Sequence, residues 1–424
     1  MAAAEHTCQV ADLTNISIHE QYERFLHLLY QTEGFARRQN VTNQTYAIYH
    51  YRQSLIHTNT NLPFFVASPK LFALMNDTNA PVRHETIGGD RVPIRTVNLN
   101  EHDVRLIKLG DIAEIKQGLT IGDNKAFLFQ NPEAHGSYRS IDDFQEFLLT
   151  ENDLERIRSD ESLRAEVLQY GISKDDTKSM RYFGRRYIAP FDKGGGESDS
   201  DEGWMPNYYV PTNYYIDWSE WAVKDLNRRA NFSSGVSGKT FFRNKDYYFC
   251  RGLSYSFRGV YAPTFRLGSG GIIDVNGPNI FISDALPTTK ILGILTTKVL
   301  KAFFKGYIQH TVASDAEPLA EVPLPLIVSN EIQKLSEQII EKQHQNLRYD
   351  YATHEQIEID RLVYEAYGLN EVDIREVEDW FARRYPTLAA AQRRNLAAAQ
   401  GRTETQLIAR TTLHLLALLF FILN

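Results

Sequence analysis

The sequence predicts a mixed α/β (α+β) chain, a β-rich domain flanked by amphipathic helices. Three observations carry this. Apolar and polar residues alternate with period two through residues 92–121, as half-buried strands require. Residues 181–283 are dense in Tyr, Phe, Gly and Arg, with loop-forming clusters GGGESDSDEG, SSGVSGK and GSGG between short apolar runs. Apolar residues recur at helical spacing in residues 288–307, 332–347 and 354–367.

Taken in order, residues 1–60 mix short helical patterns with polar runs such as RRQNVTNQTY. Asn61-Leu62-Pro63 breaks the chain. Ser68-Pro69 then suits the start of a short helix, with Ser68 as cap and Pro69 at the first helical position. VPIRTVNL, VRLIKL, AEIKQGLTI and KAFLFQ read as successive strands, and residues 141–170 as one charged helix stopped by Gly171. In residues 288–307, Ile291, Leu292, Leu295, Val299, Leu300, Phe303 and Phe304 fall on one helical face. A proline-rich exit, EPLAEVPLPLI, follows. Two amphipathic helices come next, at 332–347 and at 354–367, the second stopping at Gly368.

A chain of 424 residues, 43% hydrophobic and 23% charged, is long enough for two or three domains with real cores. Two cysteines, Cys8 and Cys250, make no disulfide framework and no CxxC pair, which fits a reducing cytoplasm. The N-terminus has no basic segment followed by an apolar core, so no signal peptide is read. The apolar run LHLLALLFFIL at 413–423 is short of the roughly 20 residues that a membrane helix needs. It reads as a packing helix or as sequence foreign to the domain, and no membrane partner is expected.

Several chemistries lack their residues. No Asn/Asp-Pro-Pro-aromatic turn, which would accept hydrogen bonds from the amino group of an extruded adenine, is present. Gly268-Ser269-Gly270-Gly271 precedes the strand-like Ile272-Ile273-Asp274-Val275 and reads as a turn, because a cofactor-binding glycine loop would open a helix. No Walker-type loop or HExxH occurs. Asp199, Asp201 and Glu202 share one acidic loop, which fits solvated surface better than a metal site, so no metal or catalytic residue is assigned.

The formal net charge of −7 argues against a protein coated in phosphate-binding groups. Residues 221–266 depart from it. They hold nine basic and two acidic side chains, a local balance of +7, interleaved with Phe241, Phe242, Tyr247, Tyr248, Tyr255 and Tyr261. Basic side chains contact phosphate, and Arg, Lys, Asn and Gln also read base edges. Lys239, Arg243, Lys245, Arg251, Tyr255 and Arg258 are therefore candidate DNA contacts. So are Gln117, Thr120 and Asn124 at a strand-to-turn transition. Lys193, followed by Gly194-Gly195-Gly196, is positioned in sequence to lay an ammonium and backbone N–H groups against phosphate. For any one of these residues, solvation of a strand or capping of a turn is the commoner role.

The order of four segments carries a resemblance. KLGDIAEIKQGLTIGDN (108–124) comes first, then YIAPFDKGGG (187–196), then FRNK (242–245) with GLSYS (252–256), then ILGILTTKV (291–299) and the proline exit. Together with LPFFVASPKLFALMND upstream and LVYEAYGLNEVDIREVEDWFARRYP downstream, this order resembles the target-recognition half of type IIG restriction–modification and BREX phage-defence adenine methyltransferases. The resemblance spans roughly residues 55–386. The LGDIAEI start is also similar to type I specificity subunits.

The resemblance implies a sequence-specific reader of double-stranded DNA that works with a methyltransferase domain or subunit. It implies a remnant or linker region from the end of a methyltransferase domain at 1–90, a target-recognition domain at 91–328, a helical region at 329–386 and a tail at 387–424. S-adenosylmethionine is expected in the catalytic domain held elsewhere, with no cofactor in this chain. The alternatives are a type I-like specificity subunit, with the helices at 332–347 and 354–367 as its docking surface, a fragment of an interrupted gene, and a metal-dependent nuclease using the acidic loop.

Overall fold

The computed structural model describes residues 7–31, 41–52, 67–76, 80–194, 205–232, 240–259, 261–283 and 286–399. Lys239, Gly195, Gly196, the acidic loop at 199–202 and the apolar run at 413–423 lie outside these residues. Helices are interspersed with four small sheets, of three, five, four and four strands, so the mixed α+β class is what the residues build.

The first 60 residues contain more strand than their polar composition suggests. β1 (Thr7–Asp12) pairs antiparallel with β3 (Ala47–Arg52), and β2 (Val41–Thr42) lies on the other edge of β3. Helix α1 (Ile18–Gln31) lies between β1 and β2 in the chain. The short helix α2 (Phe72–Asn76) begins a little after the predicted start. Ser68 still caps its approach, accepting from the Lys70 N–H at 3.2 Å through its hydroxyl.

An antiparallel meander follows. β4 (Val82–Ile87), an exposed strand that the sequence pattern does not predict, pairs with β5 (Asp90–Leu99). β5 and β6 (His102–Lys108) fall where strands are predicted, with Val92, Ile94, Val97 and Leu99 buried. Asn100 and Glu101 close the β5–β6 hairpin at positive φ. Asn100 holds that turn from outside by donating to the Gly368 carbonyl at 2.8 Å and the Asp373 carboxylate at 2.7 Å.

β7 (Ala113–Lys116) leads into a second lobe. The predicted strand at 125–130 is half helix, with a turn α3 (Asn124–Phe127) before β8 (Leu128–Gln130). The predicted single helix at 141–170 is three pieces, a 3-10 turn (Asp142–Phe147), α4 (Glu151–Ser159) and α5 (Glu161–Tyr170). The break has a local cause. Asp160 is extended, and its side chain accepts from the Leu163 N–H at 2.9 Å, so it caps a new helix rather than continuing the old one. Gly171 ends α5 at φ +78°, as predicted.

β10 (Ile188–Asp192), β11 (Tyr214–Asp217) and α6 (Glu220–Phe232) complete this lobe. Its own core gathers Leu119, Phe127, Ile157, Val167, Ile216, Trp218 and Phe249.

The chain then returns to the first lobe. β12 (Leu253–Tyr255), β13 (Phe265–Leu267) and β15 (Asn279–Ile282) form one sheet with β7, while β14 (Ile272–Ile273) crosses to pair with β10. GSGG is the turn before β14, as its sequence suggests. The predicted helix at 288–307 is broken after α7 (Thr288–Leu295). Thr296 and Thr297 turn their hydroxyls back onto the Gly293 and Ile294 carbonyls, and α8 (Lys298–Phe303) starts anew before a π turn at Phe304–Ile308. Its predicted face is buried, but so are Ile294, Ala302, Tyr307 and Ile308. The segment is a central helix and not an amphipathic surface one.

The proline exit forms edge strand β16 (Pro323–Pro325) on β6, where a missing N–H costs no ladder bond. α9 (Glu331–Gln345) and α10 (Glu355–Ala366) bury Ile332, Ile339, Ile359 and Val363 in the main core. Their apolar faces are therefore covered by this chain, and any docking on these helices would use their exposed polar faces. α11 (Glu371–Arg384) and α12 (Pro386–Ala399) complete the described chain.

The main core runs from Ala47 to Ala389. The expected divisions at 90/91, 328/329 and 386/387 do not coincide with separate cores. One buried ion pair ties the chain's ends together. The Arg383 guanidinium, with no exposed side-chain surface, donates to Asp12 Oδ2 (3.0 Å), Thr42 Oγ1 (3.1 Å), the Asn43 carbonyl (2.6 Å) and Tyr49 Oη (3.2 Å). Burial alone would raise the Asp12 carboxyl, but Arg384, Arg383 and Thr14 outweigh it and hold it below its ordinary value.

Replacing Arg383 with Ala leaves buried Asp12 with only the longer Arg384 pair and removes the bonds to Thr42, Asn43 and Tyr49, and a loss of about 3–5 kcal/mol is expected in urea unfolding. Because the Asp12 value is lowered on folding, its contribution is complete above the ordinary carboxylate range and fades as pH falls through the folded value. The stability difference between wild type and Asp12→Asn should therefore shrink in acid and not in base.

Candidate nucleic-acid interface

Three of the predicted segments, with the strand exit at 273–277, meet where the two lobes join. The Gln117–Thr120 backbone runs against Ile273–Val275, with Leu119 N–H donating to the Ile273 carbonyl at 2.8 Å and Val275 N–H to the Leu119 carbonyl at 3.1 Å. On its other side, Thr120 pairs with Phe241 through two backbone bonds of 2.9 and 2.8 Å. Asn244, at positive φ, donates its amide to the Gln117 carbonyl at 2.8 Å. Arg243 donates to Thr120 Oγ1 at 2.9 Å. Two glycines permit these approaches. A methyl at Gly118 would lie 1.9 Å from the Ile273 carbonyl oxygen, and one at Gly194 would lie 1.5 Å from that of Asn276.

Gln117, Thr120, Arg243 and Lys245 are thus brought to one half-exposed ridge, with Asn244 among them. Arg243 lies over the Phe241 ring at 4.7 Å and Lys245 over Phe242 at 4.8 Å, so both cations are shelved on aromatic faces. Partial burial lowers the Lys245 ammonium's pKa despite the neighbouring Asp246. Asn124 is exposed beside this ridge and donates to Tyr138 Oη at 3.3 Å. Lys193 lies over the rings of Tyr214 (5.1 Å) and Tyr138 (6.0 Å).

The predicted phosphate cradle at Lys193-Gly194 is built differently. The backbone N–H groups of Gly194, Val275 and Asn276 are turned to the carboxylate of Asp274, which is 8% exposed. An anion of the protein's own occupies the place that the glycine loop suggested for a phosphate. Burial pushes Asp274 up to about 6, against the pull of Lys193 and those N–H groups.

Other predicted contacts lie elsewhere. Tyr255 is fully buried, its ring 6.1 Å from that of Phe265, and belongs to the core. β12 is covered on both faces, so the alternation that would have pointed Tyr255 outward does not apply. Arg258 is exposed, but its backbone pairs with Ala313, away from the ridge. Arg251 is exposed and bridges Glu151 and Glu155. Arg228 and Arg229 are paired with Asp225, which the +7 already counts, and Arg229 also with Asp123, which with Glu151 and Glu155 lowers the local +7 from outside the segment.

Arg251 and Lys193 line a second feature, a cleft of about 650 Å³ with walls from both lobes, which none of the ridge residues lines. Arg158, Arg266, Tyr209, Tyr214 and His344 share its walls. Sequence reading missed Asp274, Tyr138, Arg158 and His344, because each acts through a partner distant in the chain. Among the described residues, no group of three His, Cys, Asp or Glu side chains could hold a metal ion, and no helix is long and apolar enough to cross a membrane. No protein-family model and no curated protein sequence matches this chain.

The position of Asp274 gives the ridge a pH signature. Its protonation removes a negative charge beside Lys193, so affinity for a polyanion should rise as pH falls through about 6. Asp274→Asn is neutral throughout. Its binding at pH 7.5 should be tighter by roughly three- to tenfold, and the step near pH 6 should vanish from anisotropy titrations. Histidine titration affects both proteins equally, so identical profiles for the two would contradict the assignment.

Proposed function

We propose that this chain is the duplex-DNA recognition module of a restriction–modification or phage-defence N6-adenine methyltransferase. It reads a short base sequence and positions the target for a methyltransferase domain or subunit held elsewhere, which carries S-adenosylmethionine. The observation that supports this reading best is the convergence of Gln117, Thr120, Arg243, Asn244 and Lys245, from segments more than 100 residues apart, on one ridge. Amide and guanidinium groups are the side chains that read adenine and guanine edges in the major groove, and a lysine beside them supplies phosphate contact.

The backbone under the ridge is hydrogen-bonded, Thr120 to Phe241 and Leu119 to Ile273, which suits recognition. Each reading group stands on a strand end or a bonded turn rather than on a free loop. The motif order is the second support, through its resemblance to type IIG and BREX-type recognition halves. The type I-like alternative is weakened by the covered faces of α9 and α10.

Arg243→Ala and Lys245→Ala test the proposal by anisotropy on a mixed-sequence duplex pool and on selected sites. Each should reduce the slope of log affinity against log salt by about 1 if it contacts phosphate. Arg243→Ala should also cost about 1–3 kcal/mol at a preferred site and relax the preference at one base pair. Absence of salt-sensitive duplex binding, with and without a methyltransferase partner, would overturn the reading.

A further inference from the structure

We propose that the cleft between the lobes binds a nucleoside phosphate, with the phosphate held by Lys193, Arg251 and Arg266 and the ring stacked against the Tyr209–His344 pair. The inference stands on the cleft's own chemistry and does not rest on duplex reading. The cleft's volume of about 650 Å³ lies in the range of small-molecule sites, roughly 300–1,000 Å³, and cannot admit a length of duplex.

Its walls divide into a cationic part and an aromatic part. Lys193 is carried over the Tyr214 ring with the buried Asp274 carboxylate beside it, and among the described residues its ammonium has no salt-bridge partner within 4 Å. Arg251 is two-thirds exposed and shared between Glu151 and Glu155, which are themselves more than half exposed. Exchanging such a surface pair for a phosphate costs little, and a guanidinium binds phosphate with two parallel bonds. Arg158 has a different role. It is 13% exposed, donates to the Phe249 carbonyl at 3.1 Å and pairs with Glu155, so it braces the wall. Asp192, the acidic group on the floor, has its oxygens engaged by Ser269 N–H and the Asn279 amide, and so holds the GSGG turn in place.

The aromatic part is preformed. Tyr209 and His344 have ring centroids 3.8 Å apart at 34°. The backbone that carries Tyr209 is held by Gln343, whose side chain accepts from the Tyr209 N–H at 3.0 Å and donates to the Asn207 carbonyl at 3.2 Å, and His344 is the next residue on α9. A flat ring beside cations is the arrangement that takes a base and its phosphate together. The nucleotide comes either free from solution or as part of a DNA strand, displaced or single-stranded.

The full chain is titrated by calorimetry with ATP, dAMP and inorganic triphosphate, and separately with a single-stranded oligothymidylate. Saturable one-to-one binding of ATP or dAMP, tighter than inorganic triphosphate, supports a free nucleotide. Binding of the oligonucleotide alone supports a strand nucleotide. In either case Arg251→Ala and His344→Ala should weaken it by about five- to a hundredfold, while Arg361→Ala, in an exposed pair with Glu358 on α10 and outside the cleft, leaves it unchanged. Both replaced side chains are exposed, and a thermal melt verifies that the variants fold. No saturable binding of any probe, or binding indifferent to both variants, overturns the proposal. Duplex binding by wild type in that case would leave the recognition role standing.

Discussion

The crossing of Gln117–Thr120 over Ile273–Val275 is the constraint on which the candidate interface depends. Here the chain leaves the first lobe, and here β14 returns to the second, so one set of backbone bonds both joins the lobes and aligns the reading groups. Asp274 locks the crossing. Its buried carboxylate gathers N–H groups from Gly194, Val275 and Asn276, drawing the DKG loop onto the strand exit. Gly118 and Gly194 are required because backbone oxygens stand where a Cβ would be. The glycines that looked like ligand-binding loops in the sequence serve backbone-to-backbone packing first, and the ridge is a consequence of that packing.

The legible parts of the fold were those whose determinants are local. The β5–β6 alternation, the Gly171 and Gly368 stops and the helices α9 and α10 follow from period and capping. The misread parts depend on contacts distant in sequence. Residues 288–307 have the period of an amphipathic helix, yet Thr296–Thr297 break it and the surrounding lobe covers every side. β1 and β3 pair through their own ladder and are anchored to the rest of the chain by Arg383, more than 330 residues from Tyr49, which bonds to Asp12 and Tyr49. No window of the first 60 residues contains that information.

The candidate site divides in the same way. Gln117, Thr120, Arg243 and Lys245 were identified as residue types and are brought together in space. Tyr255 was misplaced because a basic, aromatic stretch does not reveal which of its rings face inward. The charge count was similarly coarse. A local +7 becomes a smaller effective field once Asp123, Glu151 and Glu155, which lie outside the segment, are set against it. Net charge of a segment speaks to steering. What remains for contact is a short row of cations shelved on aromatic rings.

That shelving bears on how such a surface can discriminate. A cation over a ring loses part of its freedom before any ligand arrives, so less ordering remains to oppose binding. Arg243 is held twice, by the Thr120 hydroxyl and by the Phe241 face, and its fork is fixed relative to Gln117 and Asn244. A fixed fork penalises a wrong base, because an unmatched donor pair buried in a groove is costly, whereas a mobile one re-aims. Lys193 and Lys245 are point charges and lack that directional demand. On the proposed reading, the two tasks of a nucleic-acid reader would fall to different residue types, specificity to the braced guanidinium and amides and attraction to the lysines.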